Sequence, residues 1–152
     1  MRLFIAAILA AAPVIAPMGA LAEDAIEDAI EAREGYMKML NIDMGTLSGM
    51  ARGDIPYDEA AARTAGNNIA ALAGYDIAGL FIQGSAPDDG VETGALQAVW
   101  QNPDDFAAKY AQFQEAAAGA GDRVAGGAAD IGPVLQALGG SCKACHDNYR
   151  KR

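Results

Sequence analysis

The sequence predicts an all-α fold, an antiparallel four-helix bundle, and three observations carry that expectation. Four segments place apolar side chains at steps of three and four, the spacing of a helix face turned to a core. No stretch alternates with period two, the mark of a half-buried strand. The four segments are joined by two short connections and one long one, as in bundles whose neighbouring helices run antiparallel.

The chain opens on Arg2, an apolar run from Leu3 to Ile15 and the small-residue ending Ala20-Leu21-Ala22. This is the pattern of a secretory signal peptide, residues 1–22, cleaved after Ala22. Pro13 and Pro17 interrupt the run, which falls short of the roughly 20 apolar residues a membrane span needs. Residues 23–152 then form one exported domain with no membrane span. Of 152 residues, 11 are basic and 20 acidic, a formal net charge of −9, and Arg2 leaves with the leader. Such a surface disfavours nucleic acid and suits a soluble protein that meets basic patches on its partners.

The first helix is expected over 24–51, with the seam Ile26, Ile30, Met37, Leu40, Met44 and Leu47 and with Arg33 in its gap. Gly53 and Pro56 stop it. A second helix starts near Tyr57-Asp58 and runs through Ala62, Ile69 and Leu72 to about Leu80. The long connection, 83–102, is rich in Gly, Ser, Pro and Asp and holds one short helical turn around 95–100; Trp100, like Tyr57, reads as packing. Asn102-Pro103-Asp104-Asp105 opens the third helix with a capping side chain, a proline in the first position and acids at the positive helix end. Its stripe is Phe106, Tyr110, Phe113 and Ala117. Asp130, with Pro133 in the first turn, opens a fourth helix with the stripe Val134 or Leu135, Leu138, Cys142, Cys145 and Tyr149. The glycine-rich stretch from Gly119 to Gly132 leaves the end of helix three loosely defined.

Cys142-Lys143-Ala144-Cys145-His146 is the C-x-x-C-H pattern of covalent haem attachment. Two thiols at this spacing add to two vinyl groups on one edge of the macrocycle, while the adjacent imidazole reaches the iron. A thioredoxin-like pair would instead sit at a helix start in a βαβ unit. A zinc site lacks a fourth ligand, because His146 is the single histidine. One local disulfide is the remaining rival. With one histidine the iron cannot be bis-histidine ligated, so a methionine, an exogenous ligand or an open position stands opposite His146. Met37 and Met44 lie on the inward seam, where methionine also serves as core filler. Arg33, one turn before Met37, needs a partner, either a haem propionate gripped bidentately or solvent reached by snorkelling. Arg150 lies four residues after His146 and can lean over its face, and Lys151 and Arg152 read as a solvated tail. No nucleophile and base pair is in sight, so no enzymatic turnover is expected.

Four segments carry a wider resemblance: Glu31 to Lys38, Pro56-Tyr57-Asp58, Val99 to Phe106, and the haem motif near the C-terminus followed by Asp147-Asn148-Tyr149-Arg150. On these the chain resembles the cytochrome c′ family, the class II c-type cytochromes; most other small c-type cytochromes carry the motif near the N-terminus. The resemblance implies an antiparallel four-helix bundle with one covalent haem c, periplasmic and frequently a homodimer. It implies that Arg33 faces the propionates and Arg150 the proximal pocket. In one branch of the family a methionine matching Met37 ligates the iron with His146 and the protein carries electrons between periplasmic redox partners. In the other the matching residue is a lid over an open iron that takes nitric oxide or carbon monoxide, and Met37 is compatible with either role.

Overall fold

A computed structural model describes residues 18–152, so the predicted leader lies outside the described residues except for its last positions, 18–22. Four long helices pack in a ring, α1 (Met18–Arg52), α2 (Glu59–Ala73), α4 (Pro103–Ala117) and α6 (Ala128–Tyr149), with each touching the next and α6 closing on α1. Short helices α3 (Ala98–Gln101) and α5 (Ala120–Arg123) lie in the connections. The four-helix bundle is thus as expected, and among the described residues no helix is long and apolar enough to cross a membrane.

The face that α1 buries differs from the expected seam. Ala29, Arg33, Tyr36, Leu40, Leu47 and Met50 are buried, whereas Met37 keeps 39% of its surface exposed. Tyr36 wins the inward position because burial can satisfy its hydroxyl, which donates to Leu72 O at 3.0 Å and meets Tyr110 Oη at 2.9 Å. Ile26, Ile30, Met37 and Met44 lie about 60–100° round the helix from Tyr36-Leu40-Leu47, on a flank that is only partly covered. Gly53, at φ 76°, ends the helix in the left-handed region.

Asp58 caps α2 by accepting from Ala61 N at 2.7 Å. The helix stops at Ala73 rather than near Leu80, and only a 3₁₀ turn, Ile77–Leu80, continues it. Side chains of α4 explain the stop: Tyr110 Oη donates to Tyr75 O at 2.7 Å, and Gln114 Nε2 to Ala73 O at 2.9 Å. These bonds satisfy carbonyls that another helical turn would have used.

Pro103 and the acids Asp104 and Asp105 begin α4 as expected, but Asn102 makes no side-chain cap. Its amide turns back and donates to Ala98 O at 3.2 Å. α6 starts at Ala128, ahead of Asp130, and α5 occupies part of the glycine-rich stretch.

Two glycines set how closely α2 meets α5. A Cβ on Gly66 would lie 2.6 Å from the backbone of Gly121. Backbone cannot give way as a side-chain tip can, so Gly66→Ala should destabilise the fold by about 1–3 kcal/mol through overpacking. A denaturant titration of the holoprotein checks this; a midpoint equal to wild type would contradict the close approach.

Candidate haem-attachment site

Cys142 and Cys145 sit at i and i+3 on α6, so their sulfurs share one face of the helix. Both are half-buried and unbridged, and the disulfide alternative is not what the structure holds. Leu138, Ser141 and Tyr149 bury the same face, and Ser141 Oγ donates to Leu138 O at 2.8 Å rather than to a partner across the bundle. The motif is therefore anchored by the core above and below it, with the two thiols left at its margin.

Two neighbouring helices flank the thiols. On the α1 side, the ionisation of the Tyr36 hydroxyl is pushed up by burial, by the Tyr110 hydrogen bond and, in smaller part, by the charge that Cys142 would carry. Cys145 lies toward Asp105 and Lys109 of α4. Burial pushes the Cys142 thiol up, and burial followed by the neighbouring Cys142 pushes Cys145 up to about 11. Both sulfurs are thus protonated at neutral pH, the reverse of the lowered thiol that a thioredoxin-like pair needs.

His146 is half-buried at the edge of the same helix face. Burial, and then the Arg150 guanidinium, hold its imidazole below the ordinary 6.5. It is neutral at pH 7, the state in which a ring nitrogen donates its lone pair to a metal. Among the described residues no three His, Cys, Asp or Glu side chains gather to hold a bare ion.

Tyr149, at the end of α6, donates to Asp105 Oδ2 at 2.5 Å and ties the motif's helix to α4. Burial, and then this bond, push its ionisation from 10.0 up to about 12. A raised native value favours the protonated form, so the stabilisation is complete below pH 10 and is lost as pH rises from 10 through about 12. Urea midpoints of the holoprotein should fall across that window, and less steeply in Tyr149→Phe. Equal slopes would contradict the assignment.

The structure does not bring every expected residue to the thiols as a free group. Arg33 is buried at 5% exposure, and its acceptors belong to the long connection. Nη1 donates to Ser85 Oγ at 3.0 Å and Leu80 O at 3.3 Å; Nη2 donates to Ser85 O and Thr93 Oγ1, both at 3.3 Å. The guanidinium carbon lies 4.7 Å from the Phe81 ring centroid and 5.7 Å from that of Trp100, which makes cation–π contact with both. Of the two expected partners, solvent is excluded by burial, and the loop supplies the oxygens that hold the group. Of the five guanidinium donors only the Nε–H is left for another acceptor.

Arg150 caps α6 with an exposed side chain, and its backbone pairs with Ala95 of the long connection. Its charge lowers the His146 pKa, after burial. Met37 lies on α1 directly after Tyr36 and keeps 39% of its surface exposed. Trp100 and Tyr57 pack as expected, with Trp100 Nε1 donating to Phe81 O at 3.1 Å and Tyr57 Oη to Val124 O at 3.0 Å.

Tyr36, Ser85, Thr93 and Asp105 are the site neighbours that sequence reasoning missed. Tyr36 had a signal, its place three residues after Arg33 on the same helix face. The two loop hydroxyls had none, because nothing in local spacing says which buried cation a loop will meet.

Two unbridged thiols one turn apart, protonated and half-buried, with the only imidazole next to them, are a donor set that fits a covalently attached haem. The comparisons with known proteins agree. The family model for Cytochrome C′ matches residues 28–150. A cytochrome c′ of Cereibacter sphaeroides is 37% identical over 149 residues, covering 98% of this chain and 97% of the relative. A cytochrome c-554 of the same organism is 39% identical over 137 residues, 89% of this chain and 90% of the relative. A solved cytochrome c′ from Rhodobacter Spheriodes superposes with a TM-score of 0.78 at 38% identity, covering 84% of this chain and 98% of that one. The chain belongs to the cytochrome c′ family, the four-helix-bundle proteins that carry one covalent c-type haem.

Proposed function

We propose that the protein is a one-electron carrier of the periplasm, exported by the leader removed after Ala22. Its haem would be held through thioether bonds by Cys142 and Cys145, with His146 and Met37 as the side chains offered to the iron. A haem in this site supplies an iron that takes up and returns one electron. The residues do the rest: His146 offers a neutral imidazole, the two thiols fix the ring's edge to α6, Tyr149 holds α4 against that helix, and Tyr36 ties α1 to α2 and α4. The reading includes no substrate turnover, and its partners are redox proteins rather than nucleic acid. The exposed Met39 and Ile42 of α1, at 48% and 66%, are apolar surface that pairing of two copies would cover.

The observation that carries the ligand assignment is the state of the methionines. Met50 is buried at 4%, and Met44 packs against the core. Met37 and Met39 are both left out of the core, on opposite flanks of α1, and Met37 is the one on the expected inward seam, with a thioether committed to no packing role. The second reading, a gas-binding haem with Met37 as a lid, draws on the same exposure: a side chain that the core does not clamp can also stand aside for a diatomic ligand.

Met37→Ala separates them. In the electron carrier it turns a site closed to carbon monoxide into one that binds it fully, while Met44→Ala changes nothing. If wild type and Met37→Ala take up carbon monoxide equally, Met37 is not a ligand.

A further inference from the structure

The cations of this acidic chain are gathered at one place. Lys143, Arg150, Lys151 and Arg152 are four of the 11 basic residues, and Asp147 is the only acidic side chain among them. Elsewhere, Arg33 is buried, Lys38, Arg52, Arg63 and Lys109 each pair with a carboxylate, and Arg123 donates to the Ala116 carbonyl. Lys143 pairs with Asp147, but among the described residues Arg150, Lys151 and Arg152 make no ion pair. They line, with His146 and Asp147, an open groove of about 290 Å³.

This segment is not a loose end. Lys151 N donates to Gly94 O and Leu96 N to Tyr149 O, both at 2.8 Å, so the backbone that carries the charges is pinned to the long connection. Three unneutralised cations are thus held on a fixed rim that includes the imidazole edge of the attachment motif. Their field is opposite in sign to that of the molecule as a whole, and at physiological salt, where screening sets in over about 8 Å, an approaching partner feels the rim before the net charge.

We propose that the rim formed by Arg150, Lys151 and Arg152 around the His146 groove is where the acidic face of a redox partner protein docks. The proposal rests on the electron-carrier reading and names its partner class. Carboxylates fit because unpaired guanidinium and ammonium groups attract and orient them, giving a faster encounter more than a tighter complex.

The test is stopped-flow oxidation of the ferrous holoprotein by ferricyanide, a trianion, at rising ionic strength. A rim that governs encounter makes the rate fall roughly tenfold between about 0.01 and 0.15 M salt, although the molecule is a net anion. Lys151→Glu with Arg152→Glu should reverse that trend. Arg52→Glu with Arg123→Glu alters net charge equally and should leave the trend in place. Arg52 is about 28 Å along α1 from Arg33, and Arg123 precedes α6, whose rim end is about 30 Å away.

A wild-type rate that rises with salt, or equal effects of the two double variants, overturns the proposal. Co-sedimentation with phosphatidylglycerol vesicles that the Lys151→Glu, Arg152→Glu pair abolishes would assign the rim to a membrane and overturn it as well. If the holoprotein exchanges electrons with neither ferricyanide nor the cation tris(phenanthroline)cobalt(III), the electron-carrier reading fails, and this proposal fails with it.

Discussion

Arg33→Ala is expected to destabilise the holoprotein by roughly 3 kcal/mol, among the larger effects of a single substitution. The substitution strips hydrogen bonds from Ser85 Oγ and Thr93 Oγ1, on residues only 0% and 6% exposed. It also removes the flat group against which Phe81 and Trp100 stack. The connection between α2 and α4 would lose its tie to α1, and with it the Gly94 carbonyl that receives Lys151 N. Arg33→Lys should recover little, because an ammonium has one centre where the guanidinium fork reaches four acceptors. A double-mutant cycle with Ser85→Ala, read by urea titration, checks the cause. Coupling between the two sites supports the loop anchor; strict additivity would mean that Arg33 stabilises the protein through some other partner.

The second large effect is all-or-none. A chain with Cys142→Ala and Cys145→Ala should hold no covalent haem, so acidified organic solvent should extract all of it. The single variants should each keep one thioether and resist extraction. His146 remains in the double variant, so any haem that binds does so by ligation and packing alone. Covalent haem persisting in the double variant would contradict the attachment assignment outright.

Much of the bundle was legible because helices announce themselves locally. Asp58, Pro103 and the acids after it mark starts that the structure keeps, and the spacing of Phe106, Phe113, Leu138 and Tyr149 marks faces that it buries. What was not legible depended on contacts between distant segments. The end of α2 is decided by Tyr110 and Gln114 of α4, which take the carbonyls that the helix would have used. Which residue α1 turns inward was settled between Tyr36 and Met37 by a hydroxyl that found partners on two other helices. The heptad spacing of Met37, Leu40, Met44 and Leu47 could not register that competition.

The attachment site divides along the same line. Cys142, Cys145 and His146 lie within five consecutive positions, so covalent chemistry with a fixed spacing could be read directly. Arg33 was singled out correctly as a buried charge in need of a partner, yet its partners lie 47 to 60 positions away in the chain. Loop hydroxyls leave no periodic trace, and only the fold brings them to the guanidinium.

The measurement closest to the central claim is the optical and EPR spectrum of the purified holoprotein, ferric and ferrous, before and after carbon monoxide. Ligation by His146 and Met37 predicts a low-spin iron in both states and a ferrous spectrum that carbon monoxide leaves unchanged. A high-spin ferrous spectrum that shifts fully under the gas would contradict it and make Met37 a lid.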